Sequence, residues 1–340
     1  MFERDADLLT LPAIRHRAVS QAFLANQLRR EIFLARSRVY RLGSPTPLQK
    51  LKHPKGFDFY VKREDISPVH SYKWRGAMNR LTSLQQLGCR KVVCASAGNH
   101  SQGVAWAAHT LGMVATIFMP STAQALKIKQ TQKQLGSQGK VIITGDCFDD
   151  ALMEAQKYAE MEQASFIAPF DDVLIMAGQG TVGLEIMQAC PNPGTVYLQI
   201  GGGGMAAGVA CALKHFNPEI RLVGVEAESQ ASMRAAFDAG CPVELGCVDP
   251  FCDGTAVRKV GNMTFAVCKE LLDDLITVTN QEVRNAMQFL WNEMRIIPEP
   301  SGALGLAALL QQSDAADIKN AVTILSGANM DFSRLSMLAS

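Results

Sequence analysis

Lys73 stands in VHSYKWRGAMNRL, residues 69–81, between Tyr72 and Trp74, where a loop gives way to an apolar-periodic helix. A lysine on an exposed face is a solvated charge. A lysine drawn out of water loses its proton more readily and becomes a nucleophile able to form a Schiff base with a carbonyl. The stretch itself permits both readings. What decides between them is what else the chain offers such an amine.

The segment QIGGGGMAAGVA, residues 199–210, follows an apolar strand and runs into a helix of small residues. Without side chains, Gly201, Gly202, Gly203 and Gly204 can turn their N–H groups toward one anion, and the helix N-terminus adds the positive end of its dipole. This is a phosphate cup; a merely tight turn rarely needs four glycines. It is neither dinucleotide fingerprint nor P-loop, since the glycines are consecutive and no Lys-Ser/Thr follows. SAGNHSQGVA, residues 96–105, also lies between a strand and a helix. Ser96, Gly98, Asn99 and His100 there are either an anion clamp or, more plainly, an N-cap at Ser96 or Asn99. ILSGAN, residues 324–329, ends a third strand at Ser326-Gly327, and EPSGA, residues 299–303, reads as a helix start with Ser301 as the N-cap. Three strand-end loops suggest a phosphorylated cofactor held between two α/β domains, with Lys73 as its covalent partner. No acidic residue is placed for a ribose, so a dinucleotide is not expected.

The elements that must position these loops alternate. Strand-like runs FDFYVKRE, KVVCASA, ATIFMP, KVIITG, SFIAPF, TVYLQIGG, RLVGVEAE, LITVTN and AVTILSG are separated by amphipathic stretches such as SQGVAWAAHTLG and VLIMAGQGTVGLEIMQAC. That pattern predicts βαβ units and mostly parallel sheets, with too many strands for one small domain. GSPTPLQKL reads as a turn-rich approach to the body. Residues 12–36 read as a long helix, with Ile14, Ala18, Phe23, Leu28, Ile32 and Phe33 at near-helical spacing; it packs on the large domain or on a partner subunit.

The chain of 340 residues is 48% hydrophobic, and its 33 basic side chains nearly balance 32 acidic ones. It reads as globular, with no nucleic-acid partner, and no apolar run approaches the roughly 20 residues of a membrane span. The first residues resemble neither a signal nor a transit peptide, so a cytoplasmic location is expected. Nine scattered cysteines are expected to be reduced. Cys241, Cys247 and Cys252 lack CxxC spacing, so no metal site is expected.

Taken in order, VKRED (61–65), VHSYKWRGA (69–77), SAGNHSQGVA, IAPFDD with AGQGT (167–181), GGGGMAAGVA, EPSGA and ILSGAN resemble the threonine and serine dehydratases, pyridoxal-phosphate enzymes of the second fold type. The likeness spans roughly residues 42–335. It implies two open twisted, mostly parallel α/β sheet domains flanked by helices, as in the tryptophan-synthase-β-like fold. Residues 1–40 would be a helical extension, 41–88 with 170–340 the large cofactor-binding domain, and 89–169 a small mobile domain. It implies pyridoxal 5'-phosphate on Lys73, its phosphate on Gly201–Gly204 and Met205, Tyr72 against its ring and Gly254 near the other face. Asn99 would meet the ring hydroxyl and Ser326 the ring nitrogen. Ser96, Ala97, Gly98, Asn99 and His100 would hold the substrate carboxylate.

The implied reaction is α,β-elimination from a small β-hydroxy amino acid: L-threonine to 2-oxobutyrate and ammonia, and secondarily L-serine to pyruvate. A serine or 3-hydroxyaspartate ammonia-lyase, a β-replacement enzyme and a non-catalytic homologue are the rivals. Lys73 would remove the α-proton. A neutral serine at the ring nitrogen weakens the electron sink and favours prompt elimination. Ala97 stands where serine racemases carry a hydroxyl, and Gln230 and Ser232 break the pattern of their cation site beside Glu226. With its end at Ser340, the chain is expected to lack the C-terminal regulatory domain of long threonine deaminases and hence isoleucine feedback through it. Trp74 is expected to crowd the pocket beside the amine, and a homodimer or homotetramer follows from the resemblance alone.

Overall fold

The computed structural model describes residues 21–314 and 318–338. A six-stranded sheet takes β1 (Leu48–Lys52), β2 (Asp58–Arg63), β7 (Thr195–Gln199), β8 (Arg221–Ala227), β9 (Asp274–Val278) and β10 (Ala321–Leu325) in the order β1-β2-β10-β7-β8-β9. A four-stranded sheet takes β3 (Lys91–Ala95), β4 (Val114–Met119), β5 (Gly139–Ile143) and β6 (Ser165–Phe166) in the order β5-β4-β3-β6. Every pairing is parallel except β1 with β2. The predicted α/β class with two parallel-rich sheets is therefore the fold.

The nine apolar runs are β2 to β10. β7 and β10 are buried along their whole length, as strands covered on both faces must be. β1 was not expected: LQKLK lies in the segment read as turn-rich. It is an antiparallel edge strand with Lys50 and Lys52 in water, so it carries no continuous apolar signal.

Helices cover both sheets. On the large sheet, α1 (Gln21–Val39), α6 (Val173–Ala189), α7 (Gly204–Phe216), α8 (Ser232–Ala239) and α9 (Asn262–Leu271) line one face, and α10 (Asn280–Met294) and α11 (Pro300–Gln311) the other. On the small sheet, α3 (Asn99–Leu111) and α4 (Ala125–Leu135) lie opposite α5 (Phe148–Met161). The helix α2 (Lys73–Gln86) is wedged between α3 and α6.

The N-terminal helix is present from Gln21, and its predicted part before that lies outside the described residues. It packs on its own chain: Leu24, Leu28, Ile32 and Ala35 are buried in the core under α6 and α7, while Phe33 faces outward. Glycines let the helices beneath the site approach closely. A Cβ on Gly208 would collide with the Met176 carbonyl, and one on Gly178 would sit 2.6 Å from the Arg75 carbonyl. Replacing Gly208 with alanine should cost about 1–3 kcal/mol of stability, read as a lower urea midpoint at unchanged slope.

Each sheet reverses its winding once. In the large sheet this happens between β7 and β10, and in the small sheet between β3 and β6. Ligands of open α/β sheets bind off the carboxyl ends of strands at such reversals.

Candidate active site

The carboxyl ends of β7 and β10 carry the glycine run and Ser326. Those of β3 and β6 carry Ser96–His100 and the turn through Pro169. Lys73 stands where they meet. It is the first residue of α2, and its Nζ donates to the Pro169 carbonyl at 2.9 Å. Behind it, the Tyr72 N–H donates to the Ser326 carbonyl at 3.1 Å, Ser71 bridges to Gly327, and the Ala328 N–H donates to the His70 carbonyl. His70 takes a left-handed conformation (φ 53°), a costly bend for a residue with a Cβ, and these bonds hold it. On the far side, Gly103 of α3 lies so close that a Cβ there would be 2.9 Å from the Lys73 carbonyl. Both sheets thus fix one lysine.

That lysine is not a surface charge. Burial pushes its ammonium down to about 8, and the nearby Glu299 carboxylate partly offsets the shift. Its Nζ lies 5.4 Å from the centre of the Tyr72 ring. Trp74 is different from what its position suggested. Successive helical residues point about 100° apart, so 73 and 74 cannot share a face. Trp74 is fully buried in the core between α2 and α3, edge-on to Trp106 at 5.7 Å, and touches neither amine nor cleft. It does not shape the substrate pocket.

The glycine run turns between β7 and α7. Gly203 is left-handed at φ 90°. A Cβ on Gly201 would lie 2.9 Å from the Thr255 backbone and one on Gly204 3.0 Å from that of Phe170, whose ring would collide with one on Gly202. Phe170 follows Pro169, so two consecutive residues touch the lysine amine and the glycines. Gly254 precedes Thr255, and a Cβ there would meet Ser301 at 2.9 Å. Among the described residues, none of the N–H groups of Gly201–Met205 donates to a backbone carbonyl. A cradle with no room for side chains and with free donors at a helix start fits a phosphate. A half-buried, desolvated amine, an amide and a neutral hydroxyl on the adjoining loops fit the rest of a pyridoxal.

Neither Ser96 nor Asn99 caps α3. Gly98 occupies that position, and the Ser96 hydroxyl accepts from the Gly98 N–H at 3.1 Å. Ser96, Ala97, Gly98 and Asn99 remain half-buried along the cleft. His100 is buried, with its Nε2 on the Ile167 carbonyl at 3.1 Å; burial and the Lys73 charge push it down to about 3. It stays neutral, and its backbone N–H at the start of α3 remains for a ligand. Nor does Ser301 cap α11. The cap is Glu299, followed by Pro300, because proline fits the first helical position.

Several residues here were not singled out from the sequence. Asn329 donates to Asn99 Oδ1 and to the Val69 carbonyl, both at 2.8 Å, and Asn99 donates to Glu299 at 2.6 Å. Lys127 of α4 pairs with Asp253 at 2.5 Å, tying the small-sheet half to the loop before Gly254. Asn329 and Glu299 stand inside SGAN and EPSGA, where a polar residue beside a glycine was the available signal. Lys127 and Asp253 carried none.

The pyridoxal-phosphate dependent enzyme family matches residues 39–327. The biosynthetic L-threonine dehydratase of Haemophilus influenzae is 42% identical over 305 residues, covering 88% of this chain and 59% of that protein. A threonine dehydratase of Nicotiana attenuata is 43% identical over 309 residues, 89% of this chain and 51% of that protein. The chain thus spans little more than half the length of these relatives. The solved structure of the processed threonine deaminase isoform 2 of Solanum lycopersicum superposes with a TM-score of 0.84 at 38% identity, covering 92% of each chain. Maize serine racemase gives 0.84 at 29%, over 91% of this chain and 95% of that one. With the lysine, the cradle and the switch-point geometry in place, the family match over most of the chain is decisive: this chain belongs to the pyridoxal-phosphate dependent enzymes, beside the threonine dehydratases.

Proposed function

We propose that the chain catalyses α,β-elimination of a small β-hydroxy amino acid, with L-threonine to 2-oxobutyrate and ammonia first and L-serine to pyruvate second. The observation that carries this reading is the desolvated Lys73 amine at the junction of both strand-end clusters. When bound, the cofactor supplies an aldehyde carbon for an amine to attack and an electron-poor ring to take up the charge of a carbanion.

Gly201–Gly204 and Met205 would hold its phosphate through their N–H groups, and Tyr72 and Gly254 would flank the ring. The Asn99 amide would hold the ring hydroxyl, and the neutral Ser326 hydroxyl would serve the ring nitrogen without giving it a full charge. Ser96, Ala97, Gly98, Asn99 and His100 orient the substrate carboxylate through loop N–H groups and the Asn99 amide. The Lys73 amine would hold the α-proton: a desolvated amine lowered to about 8 is well matched to that task at neutral pH. Ala97 offers no hydroxyl to the opposite face, so inversion of the α-carbon is disfavoured.

Residues 89–169 move as a small unit against 41–88 with 170–340, the pair Lys127–Asp253 crossing between them. The protein works as a homodimer or homotetramer in the cytoplasm. No helix among the described residues is long and apolar enough to cross a membrane.

A product assay across L-threonine, L-serine and L-threo-3-hydroxyaspartate tests the reading. 2-Oxobutyrate should form with the highest kcat/KM. Pyruvate or oxaloacetate as the dominant product reassigns the substrate, and no keto acid from any of the three removes the elimination.

A further inference from the structure

Glu299 is 2% exposed, and none of the roles above uses it. It caps α11 by position, yet its side chain accepts nothing from the first turn of that helix. The carboxylate turns into the cleft instead. Its Oε1 accepts from Asn99 Nδ2 at 2.6 Å, and it would lie 3.6 Å from a Cβ on Gly254 and collide with one on Gly327. It is therefore lodged between the loops that carry Gly254 and Ser326. Asn329 engages the Asn99 oxygen, so Glu299 and Asn329 clamp the amide from both ends and leave one N–H of Nδ2 and one lone pair of Oδ1 unclaimed.

The charged and titratable groups around this carboxyl come from every neighbouring element: Lys73 and Tyr72 at the start of α2, Lys127 on α4, Asp253 and Cys252 on the loop before Gly254, and Arg334 in the turn after β10. Burial and Asp253 raise it to about 7, and Lys127, Asn99 and Arg334 restrain the rise.

We propose that Glu299 is a positioning residue for the reaction: its carboxylate fixes the Asn99 amide, and its charge balances that of the Lys73 ammonium. The inference rests on the assignment of Lys73 as the cofactor-bearing amine. An anion beside an ammonium favours the charged amine, typically by a unit or more. Glutamine in its place keeps an acceptor for Asn99 and removes the charge, so the Lys73 amine becomes neutral at lower pH.

The test is the rate at which the full chain, stripped of cofactor, captures pyridoxal phosphate, followed by absorbance against pH for the wild type and Glu299→Gln. Capture needs the neutral amine. The variant's midpoint should lie roughly one unit lower, making capture at about pH 7.5 about three times faster. A variant damaged only in its structure would capture more slowly, not faster. The wild-type profile should itself contain two linked ionisations from the chain, and a single one overturns the proposal even if Glu299→Gln does not fold. Capture by both proteins with equal midpoints overturns this inference alone. A wild-type chain that captures no pyridoxal phosphate overturns the cofactor assignment and the inference together.

Discussion

Replacing Lys73 with alanine is expected to abolish covalent attachment of pyridoxal phosphate and to lower turnover by at least about 10³-fold. A positioned general base contributes roughly 10²–10⁴ by itself, and here the same amine is assigned the cofactor link. The fold should not suffer. The Lys73 side chain makes one hydrogen bond, to the Pro169 carbonyl, and the α2 start is held by backbone bonds from Tyr72, Ser71 and His70 that alanine leaves in place. Losing a desolvated amine even removes a burial cost. Borohydride reduction and mass spectrometry give the direct readout: the wild type should carry the cofactor on the peptide with Lys73, and the variant nowhere. Retention of more than a few per cent of wild-type turnover, or a reduced adduct on another lysine, would dispose of the assignment.

How much of this was legible follows from which signals are local. Nine strands were visible because each is an apolar run between turn residues, and buried parallel strands leave that trace. The strand Leu48–Lys52 left none, since an edge strand with lysines in water looks like a loop. The glycine run and Lys73 were legible because their chemistry restricts residue type at consecutive positions. The cap expected at Ser301 is at Glu299, and of the two readings of Ser96 and Asn99 the N-cap fails, because a good capping side chain lies within two residues of the true boundary and the backbone uses Gly98 there. Trp74 stands away from the cleft because the neighbour of Lys73 in sequence is not its neighbour in space: on a helix the next side chain turns to another face, here the core. Glu299 escaped because its role depends on Asn99 and Gly327, distant in sequence and joined only by the reversal of strand order in both sheets.

Two residues beyond Lys73, Arg75 is fully buried and anchors the same helix turn in a charge network nearly closed to water, and its replacement should be the most destabilising single change considered. Its guanidinium donates to both oxygens of Glu64 at 2.8 Å and to both of Glu185, at 2.5 and 3.0 Å, with Thr181 at 3.0 Å. Lys62 pairs with Glu185 at 2.5 Å and with Glu64 at 3.5 Å, and Tyr40 donates to Glu185. Two cations balance two anions drawn from β2, the turn after it, α2 and α6. Removing one partner leaves a buried charge uncompensated, at a cost of about 3–5 kcal/mol. Arg75→Met, which keeps the stem, should therefore lower the melting temperature by roughly 10 °C on the usual scaling for large domains. Arg75→Lys should recover only part of the loss, because an ammonium cannot serve two carboxylates with a planar fork. The pH dependence carries a sign. Burial alone would raise the Glu64 carboxyl, but Arg75 and Lys62 outweigh it and hold it below the ordinary carboxylate range. Its contribution is then complete above that range and is lost as pH falls beneath it. In Arg75→Met the restraint weakens, the carboxyl rises, and the acid limb of the stability curve should move to higher pH. A loss under about 1 kcal/mol with an unmoved acid limb would mean that the network is hydrated and that Arg75 does not hold the turn on which Lys73 stands.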